Sequence, residues 1–544
     1  MDIIGHDDEP VQSRPGPGHP WLDFRFGHRD RSNTLKPDIL KLVETGHFHF
    51  GTTKPQKVLS NAFLLLLECL HIMIYTRWIQ ISSLLFIAAC APVSTHYAFV
   101  EQRLAIHDGI GADAIIEKAE SRYGKNSRLL YLLDRGMTLS LAGQYQKSNQ
   151  MLDQAATTAD ALYTESLTSH GAALLTNDNI LPYAGEDFER VMIHLISALN
   201  YAQQGQLAEA LVECRRVDTK LNSINDRYQE KKNGYKEDAF ARYLSGILYE
   251  AQGGSEGIND AFISYRKAFE TYREWAVTYG TPIPPMIGAD LMRTTDALHL
   301  REEHEEYKKL FPATTWTKIA DQKGYGEILI VSLDGKSPRK ENLFFDIVID
   351  KNILNSIVST AIWQSHVGSG NIPISTIGQL VRIALPKYIP QKSDVGHLSV
   401  GVAGTVSLSS QSVLMEDITA IAQRNLEDRI NRVRFKAIAR ATIKAVVVHK
   451  TSKRAEEEVG GVGGFLLGKV AEAAAATTEV ADLRSWRTLP DEIHVTRMMA
   501  PPGAYTVHSQ FVSRQGERTI DSPPSQQIVV KAGEKRFIVM RTVD

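Results

Sequence analysis

Three stretches of this chain repeat one pattern, and no other feature limits its fold as much. They read LLDRGMTLSLAGQYQKSNQMLDQA, LISALNYAQQGQLAEALVECRRV and YLSGILYEAQGGSEGINDAFISYRKAF. In each, apolar residues recur three or four apart on both sides of a glycine, the spacing of two amphipathic helices joined by a tight turn. Small residues fall where paired helices must approach closely: Gly136 in the first copy, Ala198 and Ala210 in the second, Gly246 and Ala261 in the third. Gly143, Gly205 and Gly253 take the turn, where freedom to adopt positive φ is needed. Larger residues fill the remaining slots, with Leu139, Tyr145 and Leu152 in the first copy, Tyr201 and Leu207 in the second, and Tyr249 and Tyr265 in the third. The third copy carries about three extra residues in its turn region. Cys214 occupies a core slot and reads as a small buried hydrophobe. One such hairpin cannot cover its own apolar face, so successive hairpins must stack.

The pattern resembles the two-helix tetratricopeptide (TPR) repeat. The turn glycines are 62 and then 48 residues apart, not the roughly 34 of a tandem array, so helices and loops are inserted between copies. Residues 90–312 are therefore expected to form a TPR-like α-helical bundle or solenoid. Its last helix reads as Gly288 to Leu310, stopping before Pro312. Surfaces of this kind bind proteins or peptides. His299 and His304 are five apart, one beyond the spacing that stacks two ligands on a helix face, so no metal is expected there.

After a linker at 313–324 the apolar period drops from 3.6 to 2. EILIVSL (Glu327–Leu333) and LFFDIVI (Leu343–Ile349) read as strands joined by the turn-rich DGKSPRKEN. VRIALPKY and GHLSVGVAGTVSLSS continue the β character. A long helix is expected over Met415 to Glu458, with Ile418, Ile421, Leu426, Ile430, Val433, Ile438 and Ala441 on its buried face. Strands follow near Glu492–Met499 and Ala504–Val512, the second beginning as strands do in small β-sandwich modules. A hairpin-like pair, QQIVV and KRFIVM around KAGE, closes the chain. The expected class is α+β: the helical half, then a β-rich domain at 325–544 with a long inserted helix.

Several chemistries find no support. Net charge is −2, with no basic stripe, so nucleic acid is not an expected partner. Cys69, Cys90 and Cys214 are too few for a disulfide framework. Gly463 to Lys469 satisfies G-x-x-x-x-G-K, but Val470 stands where a phosphate loop needs Ser or Thr for magnesium. The glycine-rich run reads instead as a mobile, membrane-contacting or closely packed segment. Neither a G-x-S-x-G elbow nor an H-E-x-x-H pair is present, and no spacing selects a catalytic triad. No enzyme activity and no cofactor are expected.

One segment sets the address. Arg77 precedes twelve mostly apolar residues, Trp78 to Ala89, too few for the roughly 20 that span a bilayer but apt for an export signal. Ile87-Ala88-Ala89-Cys90 then matches the bacterial lipobox, whose cysteine receives a covalent lipid. Translation is expected to begin at Met73, with 73–89 the signal peptide and Cys90 the first mature residue. Residues 1–72, which hold six of the seventeen histidines and no sustained period, read as a disordered leader from an over-extended reading frame, the alternative being a genuine cytoplasmic tail on a signal-anchor protein. Ala91, rather than aspartate, favours the outer membrane.

LFIAAC, the helical half and ADLRSWRTLPDEIHVTRMMAPPGAYTV (Ala481–Val507) together resemble an uncharacterised family of bacterial outer-membrane lipoproteins with a TPR-like N-terminal half and a mixed C-terminal half. The resemblance covers Met73 to Asp544. It implies a periplasm-facing location and genes neighbouring lipoproteins that resemble the activator of penicillin-binding proteins; it assigns no catalytic residue. Its most distinctive piece makes Arg484, Trp486 and Arg487 the interaction candidates, although stacking of arginine on tryptophan in a folded corner is the favoured role. The expected function is a non-catalytic scaffold that recruits envelope proteins for cell-wall synthesis or outer-membrane assembly. The alternative is a periplasmic enzyme or carbohydrate-binding protein with a site between the two halves.

Overall fold

A computed structural model describes residues 95–168, 181–227, 234–358, 363, 376–459, 480–516 and 518–544. Cys90, the leader and the stretch at 463–469 lie outside them. Ala91–Asp544 form one compact unit. The helical half contains α1 (Thr95–Leu104), α2 (Gly109–Lys118), α3 (Glu120–Tyr123), α4 (Arg128–Leu141), α5 (Tyr145–Thr168) and α6 (Asp187–Gln203). It continues with α7 (Leu207–Arg227), α8 (Ala239–Gln252), α9 (Gly254–Thr278), α10 (Met286–Ala297), α11 (Arg301–Leu310) and α12 (Ile319–Gln322).

The helices from α4 to α11 each pack on their neighbours in the chain, and the pairs form antiparallel hairpins. The three repeated stretches are α4–α5, α6–α7 and α8–α9. Gly143 and Gly205 both sit at φ 72°, and the N–H of the next residue reaches back to the carbonyl five positions earlier, Gln144 to Leu139 at 2.9 Å and Gln206 to Tyr201 at 3.0 Å. Gly253 and Gly254 are both left-handed, so the third turn is shorter than expected and its apparent extra residues begin α9. A Cβ added to Gly136 would lie 2.4 Å from Leu152, and one on Gly246 would lie 2.4 Å from the Tyr265 ring. Here the small residue is dictated by close helix approach.

Two further hairpins turn on histidine. His107 (φ 56°) joins α1 to α2, and His299 (φ 58°) joins α10 to α11 with the same closure, Leu300 N–H to Thr295 carbonyl at 3.0 Å. The single helix expected over Gly288 to Leu310 is thus two antiparallel helices. No glycine marks that turn, so the apolar period alone ran through it.

Strands β1 (Gly326–Asp334), β2 (Arg339–Val348), β3 (Leu380–Ile389), β4 (Val395–Gly404), β5 (Leu408–Gln411) and β6 (Val413–Asp417) precede the long helix. Strands β7 (Glu492–Ala500), β8 (Gly503–Ser513), β9 (Thr519–Asp521), β10 (Gln526–Val530) and β11 (Lys535–Arg541) follow it. One sheet has the order β11-β1-β7-β6, with β1 parallel to β11 and antiparallel to β7. A second has the order β10-β8-β4-β5, with β9 alongside β8. Alternation along β1 explains the layers. Ile328 and Ile330 face the second sheet in a core with Leu398, Val400, Val507 and Phe511. Leu329, Val331 and Leu333 face the helices and belong to the large helical core, with Ile493 and Val495 of β7 and Phe537 of β11. The first sheet is therefore the middle of three layers, and β1, buried on both faces, reads as an unbroken apolar run. The helical and β-rich halves share that core.

The expected closing hairpin is not formed. QQIVV is β10 of the outer sheet, KRFIVM is β11 of the middle sheet, and the turn at Gly533 crosses between them. Likewise β2 does not pair with β1. It pairs with β3 in a two-stranded ribbon that leans, with helix α13 (Lys351–Val358), on the far half of helix α14 (Ile418–Val459). Met415, expected in that helix, lies within β6 instead, and the Asp417 side chain caps α14 by accepting from the Ala420 N–H at 2.8 Å. At 42 residues α14 is about 63 Å long, its first turns in the main core and its later ones under the ribbon.

Candidate functional site

The segment carrying Arg484, Trp486 and Arg487 runs between the halves as a strap. Trp486 is 1% exposed. Its backbone N–H donates to Glu189 at 2.7 Å, its ring N–H to Thr488 at 2.8 Å, and its carbonyl accepts from Ser337 at 3.0 Å. The Arg484 guanidinium donates to the carbonyls of Asn126 (2.8 Å) and Leu181 (3.0 Å) and to Asp482, and lies over the Tyr183 ring. Arg487 lies over Tyr97, 4.4 Å from the ring centroid, and reaches Glu101. The arginines therefore stack on tyrosines of the helical half, not on Trp486. All three side chains tie the strap to its neighbours.

A second polar region also lies between the halves. Glu250 of α8, Asp290 and Arg293 of α10, Glu327 of β1, Arg497 of β7 and Lys535 of β11 form a buried network of three carboxylates and three cations. Arg497 donates to Glu327 at 2.6 Å, to Asp290 at 2.8 Å and to the Tyr243 hydroxyl at 2.7 Å. Tyr265 donates to Glu250 at 2.8 Å. Burial would raise the Glu327 carboxyl, but Arg497 and Lys535 outweigh it and hold it down at about 2. A cavity of about 470 Å³ opens beside Glu250, Glu327 and Lys535, yet these groups are already matched to one another.

A third region is differently built. Helices α5, α6 and α7 enclose a cleft of about 550 Å³. Each offers one stripe at helical spacing: Gln146, Asn149, Gln150 and Asp153 from α5; Ile193, His194, Ser197 and Tyr201 from α6, with Gln204 at its C-terminal cap; Glu209, Val212, Glu213 and Arg216 from α7. Asn200 orients the α5 wall. Its amide donates to Ser148 and to Asn149 Oδ1, both at 2.8 Å, and its Oδ1 accepts from Ser140 at 2.5 Å. Asn149 is held by its oxygen, while its amide nitrogen has no partner among the described residues. His194 Nδ1 lies 2.8 Å from Glu213, whose other oxygen accepts from Arg216 at 2.9 Å. Ser197 shares the cleft with this pair, but its hydroxyl donates to the Ile193 carbonyl at 2.9 Å and is not a poised nucleophile.

The cleft thus offers four amides, one tyrosine, an exposed valine and three carboxylates against one arginine. Of the framework residues, Tyr201 lines it, Tyr145 donates to Gln203 at 2.9 Å behind it, and Ala210 is buried beneath it. Tyr249 accepts from Arg215 at 3.3 Å on the next hairpin. Cys214 is buried, as its slot implies, and burial pushes its thiol up to about 12. His304 contacts the Met292 carbonyl and Thr295, and no metal-ligating cluster of three occurs among the described residues. The cleft was missed in the sequence because its residues look like an ordinary solvated helix face. The usable signal was that Glu209, Glu213 and Arg216 each directly precede a core slot, Ala210, Cys214 and Val217, so they share one edge of α7. The chain matches no family model, no curated protein and no solved structure.

Proposed function

We propose that this chain is a non-catalytic envelope lipoprotein whose TPR-like hairpins hold an extended segment of a partner protein. On this reading Cys90 carries the lipid that keeps it at the periplasmic face of the outer membrane. Its partners are envelope proteins of cell-wall synthesis or outer-membrane assembly. The cleft between α5, α6 and α7 is the observation that supports it. An amide side chain presents donors and an acceptor, as a peptide group does, so Gln146, Asn149, Gln150 and Gln204 suit an extended backbone of any sequence. Tyr201 and Val212 add apolar contact. Asp153, Glu209 and Glu213 outnumber Arg216, which favours a segment bearing lysine or arginine.

A photo-crosslinking amino acid at Val212, which is 41% exposed, tests this in living cells. A discrete protein adduct is expected, and it should disappear when Gln146→Ala and Gln150→Ala are combined. Both glutamines are exposed, so folding should change by less than about 0.5 kcal/mol. Capture of peptidoglycan alone, with no protein adduct, overturns the reading.

A further inference from the structure

The first hairpin has two unlike faces. Tyr97, Val100 and Leu104 of α1 and Ala112 and Ile116 of α2 are buried against the helical stack. On the outside, Phe99, Ile106 and Ile110 are 58, 64 and 65% exposed within twelve residues of chain. A cavity of about 480 Å³ lies beside Phe99 and Ile106, and its charged lining residues are Arg103, Lys118 and Arg122, with no carboxylate among them. The acids of the hairpin are engaged elsewhere. Asp113 and Glu117 pair with Arg135 of α4, and Glu101 faces Arg487 and Lys336. Asp108 caps α2 at the Gly111 N–H, 2.7 Å away, and touches Arg103 in an exposed pair. The outer face is therefore apolar and cationic together, the chemistry of a surface that meets lipid tails and anionic headgroups at once.

Chain connectivity places that face. Thr95, the first residue of α1, follows Cys90 by five positions, a reach of at most about 18 Å even when fully extended. A chain held in a leaflet at Cys90 must keep its first hairpin within two helix diameters of the headgroups. No other described element is tethered so closely. No helix among the described residues is long and apolar enough to cross a membrane, so the hairpin would lie on the surface.

We propose that the outer face of the α1–α2 hairpin, with Phe99, Ile106, Ile110 and the cations Arg103 and Lys118, is a membrane-contact surface that rests on an anionic lipid leaflet. Its orientation rests on Cys90 being the anchor, whereas its affinity for lipid does not. A tethered chain would then present its α5–α7 cleft at a set height and angle above the leaflet rather than swinging on a string.

The test uses the compact unit from Ala91 to Asp544, which carries no lipid and contains every core cluster described above, with a thermal melt to confirm folding. It is mixed with vesicles of phosphatidylethanolamine containing phosphatidylglycerol, and with vesicles of phosphatidylcholine alone. Sedimentation with the anionic vesicles is expected, falling at least tenfold when Phe99→Ser, Ile106→Ser and Ile110→Ser are combined. A fall of about threefold is expected for Arg103→Gln with Lys118→Gln, and this charge component should shrink as salt is raised. The melting temperature of both variants should match the parent. Absence of parental binding to anionic vesicles, or undiminished binding by the folded triple variant, overturns the proposal. So does a parental dimer in solution that the triple variant loses, since the face would then meet a second copy. Mass spectrometry of the native N-terminus decides the anchor separately. An acylated Cys90 with no vesicle binding removes only the face, and vesicle binding with an unmodified Cys90 removes only the anchor.

Discussion

The buried network at Arg497 and the cleft at Asn149 contain similar side chains, matched to one another in the first and only partly matched in the second. In the network, Glu250, Asp290 and Glu327 meet Arg293, Arg497 and Lys535 in matched number, and tyrosine hydroxyls take up the remaining lone pairs. In the cleft, carboxylates outnumber arginines, Gln146 and Gln150 are exposed, and the amide nitrogen of Asn149 is left without a partner among the described residues. A set of polar groups that satisfies itself can hold two layers together but has nothing left to offer a ligand. A set held by one neighbour, as Asn149 is through its oxygen by Asn200, leaves a buried polar atom unmatched. On the function proposed above, that difference, more than residue type, separates structural polarity from binding polarity.

The strongest way to break this distinction is to remove Arg497. Arg497→Ala leaves Asp290 with Arg293 and Glu327 with Lys535, each short of one cation in a buried place, and the expected loss is about 3–5 kcal/mol. Urea titration measures it. The pH dependence follows from Glu327. Its folded carboxyl is held at about 2, below the unfolded value of roughly 4.3, so it contributes stability above the unfolded value that is lost as pH falls toward 2. Without Arg497 that carboxyl rises, and stability should fall less steeply between about pH 5 and pH 2. A loss below 1 kcal/mol would mean the network is not what joins the layers.

Glu416 sharpens the comparison because it is buried like the network yet unpaired. It is fully buried at the end of β6, and neither carboxylate oxygen has a partner among the described residues. Burial, then the charges of Asp238 and Asp417, push its carboxyl well above the usual range. Folding must therefore keep a proton that the unfolded chain releases above about pH 4.3, and stability declines as pH rises from there. Glu416→Gln removes that proton requirement with little change of shape. The variant should melt about 2–4 °C higher than the parent at pH 8 and equal to it at pH 4. An equal melting temperature at both pH values would show that the Glu416 carboxyl binds its proton no more tightly in the folded chain than in the unfolded one.

Much of the helical half could be read in the sequence because its constraints are local. Gly136 and Gly246 are small for close helix approach, and Gly143 and Gly205 carry a φ that other residues avoid. The β-rich half was legible as strands but not as sheets. Whether β10 pairs with β11 depends on residues far away in the chain, and the short KAGE link gave the wrong partner. Trp486 could not be placed by type, since a tryptophan between arginines suits a surface anchor as well as a strap; burial against Glu189 and Thr488 decides it. The cleft stayed hidden because Gln146, Asn149 and Gln150 become a site only when α6 and α7 close around them.

The smallest expected effect concerns the turns that the sequence concealed. His299 adopts the left-handed conformation that glycine takes in the repeated hairpins, is exposed, and closes the same backbone bond from Leu300 to Thr295. A side chain there costs about 1–2 kcal/mol in the folded chain, whereas glycine adds less than 1 kcal/mol of unfolded-state freedom. His299→Gly should therefore stabilise the chain by about 0.5–1 kcal/mol. His107 is the control, because it shares the conformation but its ring lies 3.1 Å from Asp521 of β9. The bond to Asp521 raises the His107 pKa, against the lowering effect of burial, so the pair contributes stability below the unfolded value of about 6.5 and loses it as pH rises through the folded one. At pH 6, His107→Gly should show no gain, and its difference from His299→Gly should narrow by pH 9. Equal gains in both variants at pH 6 would mean that backbone strain alone governs these turns and that the tether from α1–α2 to β9 carries no weight.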